Sequence, residues 1–144
     1  MLGLALLVLV PTASAILRWR LGLPIFASRP RDAIFFSAMA SGCSGEHWLW
    51  SHNTLVVAVT PGELRVWVAF PLTLTFWGQL TDLEHRVPRT SVRASVLSGF
   101  MRPIARAEFV GEDGRPRRLD LQFSRPENFV RAIQRGGELP SHSP

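Results

Sequence analysis

Hydrophobic and polar positions alternate most clearly along residues 55–68. Leu55, Val57 and Val59 occupy every second position, and the alternation resumes over residues 64–68, after Pro61 and Gly62. A period of two on both sides of a short break predicts a β-hairpin with one buried face. Proline presets φ at the first position of a type II turn, and Gly62 is expected to take the positive φ of the second.

The same patterning, in weaker form, predicts the other strands. Residues 33–39 and 46–50 are two short apolar segments separated by a glycine-containing turn. Residues 104–110 and 117–123 flank a loop rich in glycine and acidic residues, which indicates a second hairpin. The chain is therefore predicted to be mainly β.

One soluble helix is predicted over residues 126–135. Pro126 suits the first helical position, and Glu127 suits the positive end of the helix dipole. Phe129 and Ile133 lie four residues apart and form an apolar stripe that faces the core. Two glycines at positions 136 and 137 end the helix.

Residues 69–78 form the most apolar stretch outside the N-terminus. They are too short to span a membrane, and Pro71 keeps them out of the middle of a sheet. Two interpretations stay open: an irregular strand that packs in the core, or an aromatic loop that dips into a membrane interface.

The N-terminal 17 residues carry no charge. At about 1.5 Å per residue a helix of that length reaches roughly 25 Å, which is the short end of what crosses a bilayer. Arg18, Trp19 and Arg20 follow at once and have the composition of an interfacial anchor. The favoured prediction is an uncleaved, single-pass anchor in a bacterial inner membrane, with the N-terminus outside and the following domain cytoplasmic.

Two other interpretations of this segment remain. Residues 13–15 have the small-x-small pattern of a signal-peptidase site, so the chain could be a secreted or periplasmic β domain. The segment could also be a buried core helix. Residues 21–32 are expected to be an extended linker, in which Arg29 and Arg31 either attract anionic lipid or are simply solvated.

Composition adds a charge asymmetry. All sixteen basic residues are arginine and there is no lysine, a bias typical of a GC-rich bacterial genome. Residues 85–144 carry eleven arginines against six acids, which accounts for the net charge of +5. Such a half can face anionic lipid or nucleic acid. Nucleic acid is disfavoured because no run of basic residues alternates with aromatics.

Candidate chemistry is sparse. Cys43, His47 and His52 are the only group that suggests a metal site, but no second pair of ligands accompanies them. A hydrolase would require Cys43 or Ser44 as nucleophile with His47 or His85 as base, and no nucleophile-elbow pattern occurs. We therefore expect no enzyme activity, no metal and no cofactor, and keep a small metal or hydrolase site as the alternative.

The order of hairpin, proline-marked link, further strands and C-terminal helix resembles the pleckstrin-homology-like (PH-like) and GRAM-like domains of bacteria. Residues 55–64, 86–92 and 124–133 carry the resemblance, which covers about residues 33–135. It implies a strongly bent antiparallel sheet or barrel closed at one end by the helix, and binding to lipid headgroups or protein segments rather than catalysis. The lysine-rich first loop of phosphoinositide-binding members is missing, because residues 41–52 contain neither lysine nor arginine.

The predicted organisation is thus an anchor over residues 1–20, a linker over 21–32, a PH-like domain over 33–136 and a disordered tail over 137–144. The expected role is binding or scaffolding at the membrane, with an unidentified protein partner and an undetermined oligomeric state. The candidate membrane or partner surface consists of Arg18, Trp19, Arg20, Arg29, Arg31, Trp67, Phe70, Phe76, Trp77, Arg115, Arg117 and Arg118.

Overall fold

The computed structural model of the chain describes residues 2–20, 22, 24–45, 50–75, 81–99 and 101–135. Within these residues it contains two α-helices and seven β-strands that form one antiparallel sheet. The strands are β1 (Phe35–Ser44), β2 (Ser51–Val59), β3 (Glu63–Val68), β4 (His85–Pro88), β5 (Arg93–Leu97), β6 (Ile104–Val110) and β7 (Pro116–Gln122). The helices are α1 (Leu2–Arg20) and α2 (Pro126–Arg135). The mainly β prediction is confirmed.

The sheet has the strand order β4-β3-β2-β1-β7-β6-β5, so β1 joins its two halves. β1 pairs with β2 along its length and with β7 through residues 41–44. The β1–β2 register shifts on both sides of Ala40, and such bulges bend a strand. The short strands β4 and β5 are the two edges of the sheet among the described residues.

The β2–β3 hairpin has the predicted position, with Leu55 opposite Val68. Its turn differs from the expectation, because Gly62 does not have a positive φ. Thr60 closes the connection instead: its N–H donates to the Glu63 carbonyl at 2.9 Å, and its hydroxyl accepts the Glu63 N–H at 3.1 Å. The turn is therefore closed by hydrogen bonds between Thr60 and Glu63 and needs no positive φ at Gly62.

Both faces of this hairpin are buried, and the prediction of one buried face is wrong. Val57 and Val66 pack in the main core, on the side that α2 covers. Trp67 lies on the opposite face and packs with Val56 and Ala58 in a second, smaller cluster. A period-two pattern reports which residues share a face, but not whether something covers the other face.

β1 continues through residues 41–44, where the sequence predicts a turn. A Cβ on Gly42 would lie 2.7 Å from the carbonyl oxygen of Asp120 and 2.8 Å from Leu121. This glycine therefore permits close approach of β1 and β7 instead of a turn. Residues 46–49, which hold most of the predicted second strand, lie outside the described residues, and β2 begins at Ser51.

The C-terminal helix α2 has the predicted bounds, and the β6–β7 hairpin lies within one residue of its prediction. Phe129 is fully buried, with its ring 5.5 Å from that of Phe35 and 5.2 Å from that of Phe123. Arg89 ties the end of α2 to the sheet, because its Nη1 donates to the Ile133 carbonyl at 2.6 Å. Local sequence patterns were therefore sufficient to predict α2 and the β6–β7 hairpin.

Residues 69–75, the described part of this stretch, do not form the irregular strand that was one of the two expectations, although Leu72 packs against the core as that expectation required. Leu72–Leu74 is instead a single 3₁₀ turn with Thr73 buried, while Phe70 is half exposed. Residues 76–80 lie outside the described part of the chain.

Helix α1 occupies the segment predicted to be a membrane anchor. Among the residues that the structure describes, no helix is both long and apolar enough to cross a membrane, so the spanning part of that prediction is not confirmed. The predicted disordered tail over residues 137–144 lies outside the described residues.

Candidate functional site

Helix α1 is docked on the domain through polar side chains. Ser14 and Arg18, one turn apart, lie on the same side of the helix and are both buried. The Ser14 hydroxyl approaches the carbonyl oxygens of Thr73 at 2.9 Å and Thr75 at 3.1 Å. The 3₁₀ turn that replaces the predicted strand therefore serves as the platform for α1.

Arg18 forms a buried ion pair with Glu84, the residue directly before β4. The exposed fraction of the Arg18 side chain is 0% and that of Glu84 is 4%. Arg18 also donates through Nη2 to the Pro24 carbonyl at 2.7 Å, and Glu84 accepts the Val68 N–H at 3.3 Å. The expectation that Arg18 is an interfacial cation is thus wrong, because a carboxylate 66 positions away holds it inside the protein.

The opposite side of α1 exposes apolar side chains together with the polar residues Thr12 and Arg20. Successive residues turn by about 100° around a helix, which puts Leu9 and Ile16 opposite Ser14 and Arg18. Both are at least half exposed, and Trp19 is 82% exposed. We call Leu9, Ile16 and Trp19 the outer face of α1. An exposed face with this many apolar side chains is unusual, since a helix on a water-exposed surface normally turns its polar side outward.

An aromatic pair lies near the docked helix. Phe26, from the linker, and Phe70, from the segment after β3, stack with ring centroids 5.4 Å apart. They are 64% and 51% exposed. Phe70 was among the predicted surface residues, whereas Phe26 was missed, because a single phenylalanine in a linker carries no signal of the ring that it meets 44 residues later.

Trp67 does not belong to this surface. It is fully buried in the second cluster, and its indole Nε1 has no hydrogen-bond partner among the residues that the structure describes. The predicted surface arginines are placed differently from one another. Arg20, Arg29, Arg31, Arg115 and Arg118 are exposed, whereas Arg117 points inward. Phe76 and Trp77 lie outside the described residues.

A groove of about 870 Å³ runs along β4 and was not anticipated from the sequence. Its walls come from the linker, the β2–β3 turn, β4 and the β6–β7 loop. Only three of the sixteen arginines line it, namely Arg65, Arg86 and Arg117. Six of the eleven acidic residues line it, namely Asp32, Glu63, Asp82, Glu84, Glu112 and Asp113. The groove is therefore an acidic region of a basic protein.

One end of the groove is held together by Arg117. This arginine pairs with Asp82, and its Nη2 lies 2.8 Å from Oδ2 of Asp113. The backbone N–H of Arg115 and the guanidinium of Arg117 lower the pKa of Asp113. The contacts connect the β6–β7 hairpin to the segment before β4, across the opening of the sheet.

At the other end, two arginines share one carboxylate. Arg65 and Arg86 are directly opposite each other on β3 and β4, and both bind Glu63. Burial tends to raise the pKa of Glu63, but hydrogen bonds from Arg86 and Arg65 outweigh it and leave the pKa below its usual value. Like charges at facing positions repel, so Glu63 is required there.

His85 is the one histidine with a structured environment among the described residues. Burial lowers its pKa, and its Nε2 lies 2.8 Å from the Asp82 carbonyl oxygen. Its ring also packs edge-on against Phe109, with centroids 5.0 Å apart. The neutral tautomer with a proton on Nε2 satisfies this geometry. These contacts give His85 a structural role in closing the end of the sheet.

Of the alternative metal or hydrolase site, Cys43 lies on β1 and His52 on β2, two strands that pair at Gly42 and Ser51. Burial, and then the negative charge of Asp120, raise the pKa of the Cys43 thiol, which keeps it protonated and weakly nucleophilic. His52 is exposed on β2, and His47 lies outside the described residues. Within the described ranges, no group of three or more His, Cys, Asp or Glu residues is arranged to hold a metal ion.

Comparison of the chain with protein-family models and with curated proteins found no match.

Proposed function

We propose that this protein is a membrane-associated, non-enzymatic binding or scaffolding domain with a PH-like fold. The observation that carries the proposal is the exposure of apolar side chains on the outer face of α1. Ser14 and Arg18 face the protein, while Leu9 and Ile16 face outward. Apolar side chains on the outside of a docked helix are stabilised by lipid rather than by water.

The PH-like part of the proposal is supported by the strand order. The sheet runs as an antiparallel meander whose first strand also pairs with the last, leaving β4 and β5 as separate edges. The bulges in β1 suit a strongly bent sheet, and α2 packs against it at Phe35 and Phe123. This arrangement is what the resemblance implies for a bent sheet closed by a C-terminal helix.

A binding role is supported by the groove along β4. Its charged groups at the two ends are engaged in ion pairs and hydrogen bonds with one another, including Arg117 with Asp82 and Glu63 with Arg86. Groups held in this way present a shaped, charged surface and do not form the nucleophile and base pair that hydrolysis requires. The groove is accordingly the proposed place for a protein partner.

Retention of the N-terminal segment is part of the proposal. Signal cleavage after Ala15 would remove Ser14, whose hydroxyl bonds to residues 73 and 75 anchor α1. Arg20 and Arg29 are exposed on the C-terminal side of α1. Their charge suits contact with an anionic leaflet, so the proposal puts the domain at the cytoplasmic face of a bacterial inner membrane. The intact mass of the membrane-extracted protein tests retention, and a mass beginning at residue 16 would contradict it.

Flotation with vesicles tests membrane association. The full chain, purified in detergent and transferred to phosphatidylcholine–phosphatidylglycerol vesicles, is expected to float with the lipid. Ile16→Asp, on the outer face of α1, is expected to reduce flotation, because a carboxylate is costly in an apolar environment. Met101→Asp is the matched control, since Met101 is 86% exposed and lies between β5 and β6. Equal flotation of the two variants would overturn the proposed role of α1.

A further inference from the structure

The aromatic pair Phe26 and Phe70 comes from two different parts of the chain and is not needed to complete the core. Neither ring belongs to the two buried clusters, and each exposes at least half of its surface. Single exposed apolar residues are ordinary, but two stacked and exposed phenylalanines beside an outward-facing apolar helix form a patch that indicates an apolar contact.

The pair is tied to α1 on both sides. Pro24, two residues before Phe26, accepts hydrogen bonds from buried Arg18 at the end of the helix. Thr73, three residues after Phe70, accepts the hydrogen bond of Ser14. The pair therefore keeps a defined position relative to α1.

We propose that Phe26 and Phe70 insert into the lipid interface as a second contact, separate from α1, and so set the orientation of the domain on the bilayer. This inference rests on the proposed membrane association and extends it from attachment to orientation. Because α1 is fixed to the domain, a second point of insertion beside it restricts how far the domain can tilt about the helix axis.

Lipid fits this patch better than a second copy of the chain. The two half-exposed rings offer roughly 200–250 Å² of apolar area, given about 200 Å² for a phenylalanine side chain. A stable protein interface needs about 800 Å² from each partner. A bilayer requires no matched surface, and the exposed Arg20 and Arg29 give the surroundings the charge that anionic headgroups attract.

The test uses the full chain with an environment-sensitive fluorophore on a single cysteine. Cys43 is the only native cysteine, so Cys43→Ser provides the background. The fluorophore is attached at Phe70→Cys, and in a matched control at Met101→Cys. On transfer to phosphatidylcholine–phosphatidylglycerol vesicles, we expect a blue-shifted, brighter spectrum at position 70 and an unchanged spectrum at position 101. Flotation of the same labelled samples is measured in parallel.

The possible outcomes separate this inference from the proposed function. A protein that floats while the probe at position 70 stays in water overturns the second contact and leaves membrane association intact. A protein that does not float overturns both. If the fluorophore at position 70 is already blue-shifted before lipid is added, and the protein is dimeric, then the aromatic pair contacts a second copy of the chain and the inference is wrong.

A double variant measures how much the aromatic pair contributes to membrane binding. Replacing both Phe26 and Phe70 with serine is expected to weaken partitioning into these vesicles by roughly 10- to 100-fold, since burial of one such side chain corresponds to about one factor of ten or more. Circular dichroism of the variant checks that the sheet is retained. Partitioning within about twofold of the parent protein would contradict the inference.

Discussion

The buried ion pair between Arg18 and Glu84 offers the sharpest test of how α1 is attached. In Glu84→Gln the amide oxygen still accepts the Val68 N–H, so the change removes the charge and little else. Arg18, with no exposed surface, would then lack its carboxylate. Removing one partner of a buried pair costs about 3–5 kcal/mol, because the remaining charge is left uncompensated.

The free energy of docking limits this loss. If α1 leaves the sheet, Arg18 becomes hydrated and the penalty disappears, so the loss cannot exceed the docking free energy. The Ser14 hydroxyl has one proton, which the Thr73 and Thr75 carbonyl oxygens share, so this hydrogen bonding contributes about 1 kcal/mol to docking. We therefore expect Glu84→Gln to lower the free energy of unfolding by about 3 kcal/mol, near the lower end of the range.

Urea unfolding of the full chain, followed by tryptophan fluorescence, measures this change. With a slope of about 1–3 kcal/mol per molar urea, the midpoint should fall by roughly 1 M or more. Arg18→Met is expected to cost a similar amount, and the double variant Arg18→Met/Glu84→Gln less than the sum of the two single changes by about 2 kcal/mol. Glu112→Gln, an exposed acid on the β6–β7 loop, is the control. Additive losses, or a Glu84→Gln midpoint equal to the control, would refute the coupling.

Three further predictions concern the domain itself. Gly42→Ala should lower stability by about 1–3 kcal/mol, because its Cβ would meet the neighbouring strand at 2.7 Å. Gly62→Ala, with open space around it, should leave the thermal midpoint nearly unchanged. Arg89→Ala should destabilise by about 1.5–3 kcal/mol through loss of its bond to α2, and Arg93→Ala, exposed on β5, should not. The pKa of His85 is lowered in the folded protein, so as the pH falls the unfolded chain is protonated at His85 before the folded chain is. The free energy of unfolding therefore decreases as the pH drops below about 6.5. His85→Asn should remove this part of the pH dependence. Denaturation curves at about pH 7.5 and about pH 5.5, above and below the usual histidine pKa, measure it. The same loss of stability between these two pH values in the variant and the parent protein would contradict the prediction.

The elements that the sequence predicted well are those whose signals are local. Helix α2 has a proline at its start and an apolar stripe at Phe129 and Ile133, and both features act within one or two turns. The β6–β7 hairpin has alternating strands around a loop that contains Gly111 and Gly114. Each signal depends on the backbone geometry of neighbouring residues, so it can be read without the rest of the fold.

The predictions that failed concerned groups whose surroundings come from distant parts of the chain. Gly42 has the appearance of a turn residue, but the close approach of β7 explains it. Trp67 alternates out of the main core, yet a second cluster buries it. The acidic residues that line the groove along β4 come from the linker and three loops, so no short sequence motif predicts that they lie together.

The sequence by itself determined that this protein is mainly β, with a central hairpin, a C-terminal helix and an apolar helical segment at its start. Only the tertiary structure decided which side of that first helix faces the protein. Arg18 lies beside Trp19 and Arg20 in the sequence and appears equivalent to Arg20, but Glu84 and the Pro24 carbonyl pair with Arg18 alone. A buried charge requires an oppositely charged partner, and for Arg18 that partner lies 66 residues further along the chain.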